Sequence, residues 1–151
     1  MAEIDEIHGF EVAVTWSGDA LGSGQASVQA GQFPVPIAGA TSLGGSGGKA
    51  NPEELLLAAL GACFVNTWAI FIKKLGIAHP DPSVRIAGEV EKDPAGGYRM
   101  KRAVVHVRVP AALLEQQRAQ VDKSIALTEK YCIISKTVRA AMPLEIVVEG
   151  I

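Results

Sequence analysis

One helix constrains this chain more than any other feature. Asn51-Pro52-Glu53-Glu54 opens the apolar run LLLAALGACFVNTWAIFI, which closes on Lys73, Lys74 and, two residues later, Gly76. Asn51 has the side chain of an N-cap, Pro52 suits the first helical position, and Glu54 completes an Asn-x-x-Glu capping box. Glu53 and Glu54 meet the positive end of the helix dipole, the two lysines meet its negative end, and Gly76 supplies the stop. The spacing predicts a helix over 52–75. Apolar residues surround this helix on every side, so it must be covered by the rest of a domain or by a second copy.

Residues 55–72 also reach the minimum of roughly 18 residues for a membrane span. Gly61, Asn66 and Thr67 interrupt the run, and no second span accompanies it. The reading is therefore a core helix with no membrane partner. The 151 residues suffice for one domain, 1–151, with a real core. Charged residues make up 20% and the net charge is −2, which gives no electrostatic footprint for nucleic acid. The acidic first ten residues lack the basic start and apolar stretch of a secretory signal. Two cysteines are too few for a disulfide scaffold. A cytoplasmic location is expected, where a disulfide is transient and catalytic rather than structural.

Around the helix the pattern is mixed. Strands are expected over 10–16, 25–30 and 32–37, with Pro34 and Pro36 placing the third at an edge. Residues 39–48 contain five glycines, but Lys49-Ala50 does not complete a phosphate loop. Residues 83–92 and 98–109 read as a hairpin about Asp93-Pro94-Ala95-Gly96-Gly97. A helix follows over 111–130, with Leu113, Leu114, Val121, Ile125 and Leu127 in the core. A shorter helix over 132–140 and a strand over 144–148 complete an α+β order.

The residues that can carry chemistry are few. Cys63, in the middle of the apolar helix, has two readings. One is inert packing, where free cysteine often sits; the other is a nucleophile, which needs a cation, a helix N-terminus or a base to hold its thiolate. Cys63 lies eleven residues beyond Pro52, too far for the dipole of its own helix to help much. Cys132, near the start of the short helix, is ambiguous in the same way. As a pair, the first can become a sulfenic acid that the second condenses with. No metal is expected: the two cysteines and His8, His79 and His106 show no close ligand spacing. No G-x-S-x-G elbow is present.

Asn-Pro-Glu-Glu-Leu-Leu with Ala62-Cys63-Phe64, followed by Cys132-Ile-Ile-Ser135-Lys136 and Arg139, resembles the OsmC/Ohr family of peroxide-reducing proteins. The glycine-rich loop, element order and length agree along nearly the whole chain. The resemblance implies an intertwined α+β homodimer, its long buried central helix packed on antiparallel sheets, with active sites at the subunit interface. It casts Cys63 as the peroxidatic cysteine, Cys132 as the resolving one and Glu53 as the active-site glutamate. It further implies organic hydroperoxides, and to varying degrees hydrogen peroxide, as substrates. It brings no bound cofactor, and the reductant is an external dithiol such as a lipoylated protein. The family's N-terminal arginine has no counterpart, since no Arg or Lys precedes Lys49. Lys49, Lys136 and Arg139 are the cations left to activate Cys63, and Phe64, Trp68 and Phe71 are residues that can line an apolar pocket or simply pack. Ten residues of helix separate Glu53 from Cys63 by about 15 Å. The expected site therefore joins Glu53 of one copy to Cys63 of another. The alternative is a non-catalytic member that holds a small hydrophobic ligand in the interface pocket.

Overall fold

The computed structural model describes residues 6–29 and 31–151. They form two compact units, one running to Leu55 and the other spanning Leu56–Ile151.

In the first unit, β1 (Ala13–Ser17), β2 (Ser23–Val28) and β3 (Phe33–Ile37) make an antiparallel sheet in chain order. Strand β1 starts three residues later than its composition suggests. Its register pairs Ala13 with Ser27, and β2 ends at Val28, so Phe10 and Glu11 would have no partner strand. Strand β2 stops where Gln29 takes a positive φ of 52°; Ala30, expected to end that strand, lies outside the described residues. Pro34 and Pro36 do lie on an edge strand, at positions of the same parity, so neither removes a bond to β2. The glycine-rich loop contains a short 3-10 turn, Thr41–Leu43, closed by Gly44 at φ 87°.

Helix α1 (Pro52–Lys74) begins with the reciprocal capping box: Glu54 N–H donates to Asn51 Oδ1 at 2.8 Å and Asn51 N–H to Glu54 Oε2 at 3.3 Å. It ends in a Schellman turn, with Gly76 at φ 64°, Gly76 N–H on Lys73 O and Ile77 N–H on Ile72 O.

The second unit is built around β4 (Ser83–Lys92), β5 (Tyr98–Val109) and β6 (Leu144–Gly150), in the order β4-β5-β6. The hairpin has the expected limits. Its turn is tied by Gly96 N–H on Asp93 O and Ala95 N–H on Asp93 Oδ1. Strand β6 runs parallel to β5, so this sheet is mixed rather than antiparallel. The cause is the helical connection, α2 (Ala111–Tyr131) then α3 (Ile133–Ala141), which returns the chain to the end at which β5 began. Helix α2 is broken at Gln117, whose φ/ψ of −135°/33° is not helical.

Leu60, Phe64, Trp68 and Ile72, spaced four apart, form one buried stripe of α1. They share a core with Ala103, Val105, Val107 and Val109 of β5 and with Val121, Ile125, Cys132 and Val138 of the helical connection. Gly61 lets α1 approach β4, because a Cβ there would lie 2.9 Å from Ile86 Cγ1. Gly61→Leu is expected to destabilise the fold by about 1–3 kcal/mol in chemical denaturation, the usual cost of overpacking.

The rest of α1 is not buried within one chain. Only 28% of its most apolar window is covered, and Leu56 and Ile70 are 38% and 48% exposed. By length and composition this helix is apolar enough to cross a membrane. A single chain thus covers this helix only in part, and the sequence left open whether the domain or a second copy covers the rest.

Candidate functional site

The break between α2 and α3 makes the site. Cys132, with φ −67° and ψ 115°, is at once the last cap of α2 and the first cap of α3. Its N–H closes α2 on Thr128 O at 2.8 Å, and its carbonyl accepts the first bond of α3 from Lys136 N–H at 3.2 Å. A helix start leaves its first amides without intrahelical partners. Serine, threonine, aspartate or asparagine would normally accept from one of them, but the Cys132 side chain forms no such cap bond.

The sulfur of Cys63, projecting from α1, takes that role. Partial burial pushes the Cys63 thiol up. The Ile134 N–H, the Cys132 thiol, the Ile133 N–H and the Thr67 hydroxyl beside it outweigh that, and the thiol ends below the ordinary cysteine range. Thr67 is one turn along α1, and its hydroxyl also reaches Cys63 O at 2.8 Å. Burial pushes Cys132 up. The Ser135 hydroxyl and N–H draw it the other way, the neighbouring Cys63 adds to the rise, and the thiol ends above the ordinary range. The two sulfurs are thus shifted in opposite directions, Cys63 down and Cys132 up, so Cys63 is the one that ionises first. Both are free thiols, Cys63 half-buried and Cys132 fully buried.

The structure brings Cys63 and Cys132 together and places the other predicted residues elsewhere. What perturbs Cys63 is a set of hydrogen-bond donors, with no cation among them. Arg139 is occupied: its Nη2 donates to Glu129 Oε1 at 2.7 Å and its Nη1 to Leu144 O at 3.4 Å. Lys136 is exposed on α3, and Lys49 is exposed in the other unit. Phe64 and Trp68 do not line an open pocket. They are 0% and 1% exposed, and Trp68 Nε1 donates to Ser124 Oγ at 2.9 Å. The i, i+4 spacing that gives them to one face of α1 gives that face to the core. Phe71 packs beside Tyr131, ring centroids 5.7 Å apart. Glu53 is separated from Cys63 along the one continuous helix, and its Oε2 is buried with no hydrogen-bond partner among the described residues.

Sequence reasoning missed Thr67 and the amides of Ile133 and Ile134. The available signal was a helix start with no oxygen cap before Ile133, which calls for an acceptor from elsewhere. Among the described residues, no cluster of three or more metal-ligating side chains occurs.

A profile of the OsmC-like protein family matches residues 45–147. An uncharacterized protein of Bacillus subtilis, YmaD, is 24% identical over 144 residues, which cover 92% of each chain. Among solved structures, the organic hydroperoxide resistance protein OsmC of Legionella pneumophila is 21% identical with a TM-score of 0.72, covering 94% of this chain and 98% of that one. A Vibrio cholerae protein described as a putative organic hydroperoxide resistance protein with captopril bound in one of its active sites is 18% identical. Its TM-score is 0.76, over 97% of this chain and 96% of that one. With its α+β fold and the family match over most of its length, this chain belongs to the OsmC-like protein family.

Proposed function

We propose that the protein is a thiol peroxidase that reduces organic hydroperoxides, and in some measure hydrogen peroxide, through Cys63 and Cys132. The observation that carries this reading is the asymmetric sulfur pair at the start of α3, one thiol lowered and its donor raised. Family membership and the likeness to hydroperoxide resistance proteins support it.

In the first step the Cys63 thiolate attacks the outer oxygen of ROOH. The S–O bond forms, the O–O bond breaks, and the departing alkoxide takes a proton to leave as ROH. In the second step Cys132 loses its proton and attacks the Cys63 sulfenic acid. The S–S bond forms, the S–O bond breaks, and hydroxide leaves with that proton as water. An external dithiol, such as a lipoyl group, then returns both cysteines to thiols and is itself oxidised to a disulfide. The protein needs no bound cofactor for this cycle, and its free thiols suit a reducing cytoplasm.

The working unit in this proposal is a homodimer. The uncovered apolar face of α1 and the unpartnered oxygen of Glu53 support it: a second copy packed antiparallel brings Glu53 to the other copy's Cys63. Ile70→Glu, on the uncovered face, is expected to give a folded monomer by size-exclusion chromatography that no longer consumes hydroperoxide. A monomer with full activity would refute the shared site.

The central test is direct. The reduced protein is mixed with one equivalent of cumene hydroperoxide, and the digest is read by mass spectrometry without reductant. One peroxide consumed per chain, with the peptides of Cys63 and Cys132 joined, is the expected result. Unconsumed peroxide with both thiols intact would overturn the peroxidase reading and favour ligand binding.

A further inference from the structure

Ser135 is fully buried, and its Oγ has no hydrogen-bond partner among the described residues. Such a group is costly. A buried hydroxyl with no bond gives up its water and gets nothing in return. A helical serine has an easy remedy, since its hydroxyl can turn onto the carbonyl four residues back. Thr67, Thr128 and Thr137 all do this, on Cys63, Ser124 and Ile133 respectively. Ser135 does not, although Tyr131 ends α2 four residues before it. It occupies the third position of α3, and Cys132, three residues earlier at the cap, is equally buried. Sulfur and hydroxyl are close enough for Ser135 to act on the ionisation of Cys132, yet among the described residues the hydroxyl makes no bond of full hydrogen-bond geometry.

We propose that Ser135 is a positioning residue for the resolving step: its unused hydroxyl donates to the Cys132 sulfur once that sulfur gives up its proton. This rests on the two-cysteine peroxidase reading above. Before peroxide arrives, the Cys63 thiolate takes the Cys132 hydrogen, and a second donor on Cys132 has nothing to bind. Oxidation of Cys63 to the neutral sulfenic acid removes that charge. Cys132 must then ionise inside the protein, and burial opposes it. The Ser135 hydroxyl supplies a charge-assisted bond at that moment and keeps its own proton throughout. The S–S bond forms, hydroxide departs from Cys63, and the hydroxyl is released. The unsatisfied ground state is thus matched to a transient thiolate.

Two measurements on Ser135→Ala separate this from a structural role. In rapid mixing with cumene hydroperoxide, loss of peroxide should keep its wild-type rate. Disulfide closure should slow about tenfold at neutral pH, with its pH midpoint moved upward and more Cys63 reaching the sulfinic acid. Ser135→Thr, which keeps the hydroxyl, should restore closure. The variant should also melt no lower than the parent, because it removes an unpaired buried group. The second measurement needs no peroxidase activity. In a Cys63→Ala background, the ultraviolet absorbance of the Cys132 thiolate should appear at higher pH when Ser135 is also alanine. An unchanged Cys132 titration, an unchanged closure rate or an equal slowing of both steps would overturn the role of Ser135. Should the wild-type protein consume no hydroperoxide, the peroxidase reading fails, and the Cys132 titration still decides whether the hydroxyl serves that sulfur.

Discussion

Cys63→Ser is expected to lose hydroperoxide consumption by a factor on the order of 10⁶, the scale on which removal of a nucleophile acts. A serine hydroxyl does not ionise where a thiol does, and the donors around position 63 cannot bring it into the neutral range. Cys132→Ser should behave differently, and the difference identifies the roles. Serine keeps a hydrogen donor at the cap of α3, so the Cys63 thiolate keeps that bond and its first reaction with peroxide proceeds. What is lost is the sulfur that closes the cycle. The variant should consume one equivalent quickly and then stall as a sulfenic acid. Excess peroxide should drive it to a product carrying two added oxygens on Cys63, visible by mass spectrometry. Steady turnover with a lipoyl dithiol should be absent from both variants. Sustained turnover by Cys132→Ser would remove Cys132 from the mechanism.

Features of this molecule that depend on neighbours in sequence were legible from it. The capping box at Asn51–Glu54, the Schellman stop at Gly76 and the two arms of the β4–β5 hairpin all rest on bonds made within a few residues. Features decided by distant partners were not. The start of β1 is limited by the end of its partner strand, β6 takes its direction from the helical connection, and one chain leaves much of α1 uncovered. The kink at Gln117 has no Pro or Gly to announce it. The pairing of Cys63 with Cys132 was expected from the motifs. Its electrostatics were not, because a search for side-chain cations overlooks backbone amides, which every residue except proline carries.

That last point sets the second large prediction, Ile133→Pro. Ile133 is the first residue of α3, the one helical position where proline costs the helix nothing, since its N–H has no intrahelical acceptor and its φ is already suitable. The substitution therefore removes one donor from Cys63 while leaving α3 in place. A hydrogen bond to a charged group is worth about 1.5–3 kcal/mol, and the lower figure applies to a sulfur that is only half-buried. The thiolate population at neutral pH should fall about tenfold, and the rate of hydroperoxide consumption with it. The sign follows from the ionisation. The reactive form is the anion, so the rate rises with pH and levels off above the lowered Cys63 pKa. With one donor gone the same curve moves to higher pH, and the variant recovers the parent's rate in sufficiently alkaline buffer. A variant that merely misplaced Cys63 would stay slow at every pH. If Ile133→Pro instead matched the parent across the whole profile, the amides of α3 would not be what holds this thiolate, and the missing N-terminal arginine would again need a cationic replacement.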